Sequence, residues 1–256
     1  MIIMSTAIYE ETKKDIAEAY SSHNKSKIAK ETSFIFNQLF VTMLSSFKDR
    51  LIGISIESLD FKEDYITSVK NHENLSEWLD RFYDLTLPLS DLEFGKLKID
   101  FEYWYYQLGG KEIHFLYRED YLLKPNEVAK ELGISTVTLN KYIKQGLECV
   151  DTKNHNKIPK HSIDIWKDSF YSIKMQMLYQ EKKMRKQTPH DRIQEINQEL
   201  LEFQLKYKKK KCDEAFIDCN INELDDPSDY FEWRDLEEEK ETLISKLIGS
   251  TEPGDK

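Results

Sequence analysis

No apolar run in this chain approaches membrane-spanning length, so a transmembrane helix is not expected. The opening MIIMSTAIYEETKK is too short, and turns acidic too soon, for a secretory signal; the expected location is the cytoplasm. Cysteine is scarce. Cys149, Cys212 and Cys219 are scattered without CxxC spacing, an odd set that fits a reducing compartment and argues against a disulfide framework or structural zinc. The six histidines, His23, His72, His114, His155, His161 and His190, show no ligand spacing. Asp218, Asn220 and Asn222 alternate as in a calcium loop, but Glu223 stands where that loop needs glycine and Asp229 where it needs a bidentate Glu. No glycine-rich phosphate loop and no paired acids at hydrolytic spacing are present. These absences lead to the expectation of a non-enzyme that needs no metal or cofactor.

What is there is charge, unevenly placed. The chain has 256 residues, enough for two or three domains, with 33% charged residues and a net charge of −10. Residues 1–120 carry a net −7, residues 121–161 +3, residues 162–211 +5 and residues 212–256 −11. An acidic total does not veto an anionic partner, because a phosphate backbone feels the charge within about 8–10 Å of it.

The most informative stretch runs from Leu122 to Trp166. Pro125 suits a first helical turn, and Val128, Ala129 and Leu132 follow at helical spacing. Gly133 allows a sharp turn, Ile134 plugs the corner, and Ser135 is a good N-cap for a second helix. In that helix Leu139, Tyr142 and Ile143 share an inner face. Thr136, Val137, Asn140, Lys141 and Lys144 share the outer one, which offers hydrogen-bonding groups, two cations and an apolar group suited to a thymine methyl. Gly146 ends the helix. VDTKNHNKIP then reads as two short strands around a polar tip, with Pro159 before a third helix. His155 and His161 flank the second strand and are read as polar wing residues.

The pattern Glu127, Ala129, Leu132-Gly133-Ile134-Ser135, Thr138-Leu139, Ile143, Gly146-Leu147, Ile158-Pro159 and Trp166 resembles the excisionase/MerR-like winged helix-turn-helix, over about 45 residues. The resemblance implies binding of double-stranded DNA, usually for transcriptional control or recombination directionality. The expected contacts are Ser135, Thr136, Val137, Asn140, Lys141 and Lys144 from the second helix, and Lys153, Asn154, His155, Asn156 and Lys157 from the wing. Unlike many relatives, the chain has no arginine between Arg118 and Arg185; its lysines hold phosphates as point charges, without the planar fork that reads guanine.

Around this segment the expected fold class is α+β and mainly helical, in three parts. Residues 1–118 would be an α+β module, residues 119–186 a winged helix-turn-helix with a long following helix, and residues 187–256 a helical, acid-ended region. In the first part, Ile35, Leu39, Thr42, Met43 and Phe47 form a helical stripe and LIGISIE (51–57) reads as a strand. KLKIDFEYWYYQ (96–107) alternates Leu97, Ile99, Phe101, Tyr103 and Tyr105 at period two and is expected as a strand, turning at Gly109-Gly110 into an antiparallel EIHFLY. In the long following helix, Trp166, Phe170, Ile173 and Met177 are expected on one stripe that packs back on the DNA-binding unit.

In the third part, Thr188, Pro189 and Asp191 start a helix whose stripe is Ile193, Ile196, Leu200, Phe203 and Tyr207, suited to an antiparallel pair, a dimer or intramolecular packing. KYKKKKC (206–212) suits either phosphates or a solvated helix end. The last segment, with Tyr230, Trp233, Leu236, Leu243 and Leu247 amid heavy acid, is loosely similar to the C-terminal helices of small antitoxin-like proteins. That likeness implies a protein partner such as a toxin, covered by an acidic amphipathic helix; packing on its own chain is the other reading. The expected function is a DNA-binding regulator of prokaryotic or phage type. The alternatives are an operator-binding antitoxin and a recombination or DNA-processing accessory protein.

Overall fold

The computed structural model describes residues 4–151, 156–217 and 228–249, and it is mainly helical with two small antiparallel sheets. The chain divides into two compact units, Met1–Glu181 and Lys182–Lys256. The first opens with α1 (Thr6–Ser21), capped by Ser5, and α2 (Lys25–Ser46), capped by Asn24. The α2 stripe is as expected: Ile35, Leu39, Thr42, Met43 and the following Phe47 are all buried. Then come β1 (Leu51–Ile56), the single turn α3 (Glu63–Ile66), α4 (Val69–Asp84), α5 (Asp91–Leu108) and β2 (Ile113–Tyr117).

The α5 segment corrects one expectation: residues 96–107 form a helix, not a strand. Their period-two alternation arises because Lys98 and Glu102 are buried as an ion pair among the apolar residues, while Lys96 and Asp100 lie on the part-exposed side of the same helix. Phe94, Leu97, Ile99, Phe101, Trp104, Tyr105, Tyr106 and Leu108 are all buried. Local signals fix the ends. Ser90 and Glu93 form a reciprocal capping box, and Gly109 closes the helix with φ 113°. EIHFLY therefore has no partner in α5, and β2 pairs antiparallel with β1 instead, Leu51 opposite Tyr117 and Ile56 opposite Ile113. The aromatic run is interior: Trp104 donates to Asn71 Oδ1 at 3.1 Å, and the Tyr105 hydroxyl lies 2.7 Å from the Ser58 carbonyl.

After a 3-10 turn at Glu119–Tyr121 the order is β3 (Leu122–Leu123), α6 (Pro125–Leu132), α7 (Thr136–Gln145), β4 (Val150–Asp151), β5 (Asn156–Pro159), α8 (Lys160–Lys167) and α9 (Tyr171–Lys186). The three strands lie in the order β3-β5-β4, all antiparallel, with Leu123 opposite Ile158 and Val150 opposite Lys157. Helices α6, α7 and α8 surround a second small core of Val128, Ala129, Leu139, Leu147, Ile163 and Ile165, to which α5 contributes Ile99. So one helix serves two cores, and Gly95 is what lets α8 lie this close to it. A Cβ built on Gly95 would fall 2.6 Å from Ile165 Cγ1 and 3.1 Å from the His161 ring.

The expectation of one helix through 166–177 also changes. Asp168 accepts hydrogen bonds from the Phe170 and Tyr171 backbone amides, which breaks the run and restarts it as α9 in a new phase. Phe170, Ile173 and Met177 consequently face solvent, at 65%, 58% and 60% exposure, while Met175 and Leu178 turn inward.

The second unit is an antiparallel helix pair. It is built from α10 (Pro189–Tyr207), the single turn α11 (Cys212–Ala215) and α12 (Ser228–Gly249). Thr188 and Asp191 form the capping box read from the sequence. Ile196, Leu200, Phe203 and Tyr207 of the α10 stripe pack with Trp233, Leu236 and Phe216 within their own chain, while Ile193 is half-buried outside that core. Arg192 grips Glu239 with two bonds of 2.7 and 2.6 Å, and Lys206 pairs with Asp229. The hydrogen bond from Arg192 holds the Glu239 carboxyl below its usual range, and Lys206 with Tyr207 does the same for Asp229. A carboxyl depressed on folding adds stability above its unfolded pKa of about 4 and loses it as pH falls through the folded value. Urea unfolding should therefore find Glu239→Gln less stable than the wild type at pH 7, with the difference shrinking as pH approaches 3.

Candidate nucleic-acid interface

The two helices α6 and α7 meet at a turn the sequence builds residue by residue. Pro125 stands at the start of α6, where Glu127 accepts from the Lys124 backbone amide at 2.7 Å. Gly133 closes α6 at φ 68°, and a Cβ there would meet nothing within 4 Å; backbone conformation, not space, favours glycine. Ser135 then accepts from the Thr138 amide at 3.1 Å and caps α7. Leu139 is fully buried, Ile143 packs on the small core, and the Tyr142 ring lies 4.9 Å from that of Trp166.

With that face fixed inward, the other is fixed outward. Ser135, Thr136, Val137, Asn140, Lys141 and Lys144 are all exposed, Val137 at 66%. Among the described residues, neither Lys141 nor Lys144 has an acidic partner. The helix is ten residues, roughly 15 Å of rod, the scale of a B-DNA major groove about 12 Å wide. After it in the chain β4 and β5 pair as a short ribbon, Asp151 opposite Asn156. Asn156 is exposed, but the Lys157 ammonium is paired with Glu119 and its side chain is only 19% exposed. Lys153, Asn154 and His155 lie outside the described residues.

His161 departs from its expected place in the wing. It is fully buried, because Pro159 ends β5 and starts α8 so that the next turn faces α5. Its ring lies between those of Phe94 and Tyr121, at 5.2 and 6.0 Å. Around it is a group of residues that sequence reasoning missed. Glu148, in the connection from α7 to β4, accepts from Lys98 Nζ at 2.8 Å and from the Tyr117 hydroxyl at 2.7 Å, and lies 3.2 Å from His161 Nε2. Lys98 also pairs with Glu102 at 2.9 Å, and the two side chains are 3% and 0% exposed. Burial opposes the Lys98 charge, but Glu102 and Glu148 outweigh it and hold its pKa above the usual value. Burial, and then Glu148, push the Tyr117 hydroxyl well up. The one available sequence signal was Lys98 and Glu102 four residues apart, on the same helical stripe as Phe94, Phe101 and Tyr105.

The candidate partner residues of the last helix sit differently. Trp233 is fully buried and Leu236 nearly so; Tyr230 and Leu243 pack on the same core, and Leu247 is half-buried. A cleft of about 770 Å³ between α4, α5 and the start of α9 is lined by Trp78, Arg81, Lys96, Asp100, Tyr171 and Lys174. Three of its cations are already engaged, Arg81 and Lys174 with Asp100 and Lys96 with Asp168. Among the described residues no group of three His, Cys, Asp or Glu is placed to hold a metal ion. Comparisons with protein-family models, curated proteins and solved structures found no match.

Removing one partner from a buried ion cluster strands the rest, at about 3–5 kcal/mol. Lys98→Met should therefore lower stability by about that much in urea unfolding. Adding Glu102→Gln should recover part of it, because a buried negative charge is removed.

Proposed function

We propose that this chain binds double-stranded DNA sequence-specifically and regulates transcription, with α7 in the major groove and the β4–β5 ribbon as the wing of a winged helix-turn-helix. The single observation behind this is the outer face of α7. Its donors, cations and one apolar side chain are exposed together on a helix whose other face is pinned by Leu139 and the small core. In this reading Asn140 pairs with adenine through its amide, Val137 meets a thymine methyl, and Lys141 and Lys144 take phosphates. Lys157, engaged by Glu119, contributes little, which leaves wing contacts to Asn156 and to Lys153, Asn154 and His155.

The regional charge supports the reading. Residues 121–161 are net +3 within a chain of net −10, so attraction is local and strongly screened by salt. With two free lysines on the helix, affinity for one half-site is modest, and a dimer on a two-fold site would double the contact set and raise affinity by about 10²-fold or more.

The test is selection from a randomised duplex library at low and physiological salt, followed by anisotropy on the recovered motif. Asn140→Ala should weaken binding to that motif by about tenfold or more while leaving random duplex unchanged. Lys141→Ala should weaken both and flatten the slope of log affinity against log salt by about 0.9. If neither variant alters binding, the assigned face is wrong.

A further inference from the structure

We propose that Glu148 is a positioning residue that sets the angle between reading helix and wing, and that it does so largely through two residues outside the helix-turn-helix, Lys98 and Tyr117. Only its last step, the effect on DNA, rests on the reading given under Proposed function.

The connection from α7 to β4 is four residues, Gly146 to Cys149, and it is the covalent joint between the two elements assigned to DNA. Gly146 and Leu147 are buried within it. Glu148 follows, and its carboxylate meets three elements at once: Lys98 of α5, Tyr117 of β2 and His161 of α8. One oxygen takes the Tyr117 hydroxyl; the other faces both Lys98 and His161. None of these groups is on the outer face of α7 or on the ribbon. The joint is thus held from behind, by the part of unit 1 that carries no DNA-facing residue in this reading.

Apolar contact alone would fix this joint poorly. Leu139, Leu147 and Ile158 are non-directional partners, and a small core of this kind tolerates rotation by a few degrees. The Glu148 carboxylate, only 19% exposed, is directional: each donor must lie within hydrogen-bond distance and in line, or much of the charge is left unsolvated. Three donors from three elements specify one orientation of the joint. Base contacts depend on that orientation to within a few tenths of an ångström, whereas phosphate attraction does not. Loosening the joint therefore costs discrimination before it costs affinity.

The experiment uses the full chain. Tyr117→Phe removes one bond and keeps the ring packed, so it is the variant expected to fold; Glu148→Gln keeps the shape and removes the charge. Hydrogen exchange followed by mass spectrometry should show about tenfold faster exchange in peptides covering Gln145–Asp151 and Asn156–Pro159, with α1 to α4 unchanged. On DNA, the ratio of affinity for the selected motif to that for random duplex should fall five- to tenfold in both variants, with random-duplex affinity within twofold of wild type. Faster exchange spread evenly over unit 1, or none, overturns the proposal, as does an equal loss for both duplexes. If the wild-type protein selects no motif, the DNA reading fails by itself, and the exchange data alone decide whether Glu148 fixes the joint.

Discussion

A lysine inside a protein core must find negative charge there, and in this molecule Lys98 finds two carboxylates, one on its own helix and one fifty residues away. Placing ions in such an interior costs several kcal/mol each, and close pairing must offset that. The Lys98–Glu148 contact therefore ties α5 to the α7–β4 connection by a bond that is costly to break and exact in direction. Gly95 and Ile99 on the same helix add the close approach of α8 and an apolar anchor in the second core. Much of the small helical core around α7 is thus organised by one helix of the preceding segment, which explains why residues 4–181 behave as one compact unit.

Legibility followed the range of the physics. Pro125, Gly133, Ser135, Gly146, Thr188 and Asp191 act on their immediate neighbours, and their effects were readable from the chain: two short helices with a tight turn, and a capped α10. Residues 96–107 misled because the buried pair Lys98 and Glu102 puts charge on the core side, in alternation with Lys96 and Asp100 on the part-exposed stripe. The Ser90–Glu93 box and Gly109 at its ends were the better guide. The break at Asp168 was a capping signal of the same kind, hidden inside an apolar spacing that looked continuous. His161, Glu148 and Tyr117 could not be grouped from sequence, since nothing local announces that residues 98, 117, 148 and 161 converge.

Charge has different work in the two units. The acid of α12 is partly consumed within its own helix pair, where Glu239 and Asp229 hold Arg192 and Lys206, and the apolar stripe of that helix from Tyr230 to Leu243 packs in the core it shares with α10 and Phe216. The outer face of α7 is the reverse case. Lys141 and Lys144 stand free of acidic partners among the described residues, beside an amide and a methyl-bearing side chain. Such a face is of little use to a protein core and is well matched to a groove lined by phosphates and base edges.

The most direct test of that match is nitrogen-15 NMR of the full chain titrated with duplex DNA. The account predicts that shifts concentrate at Ser135 to Lys144 and at Asn156, while α1 to α4 remain unmoved. Shifts confined to Lys208–Lys211, or none at concentrations where phosphate contacts saturate, would contradict it.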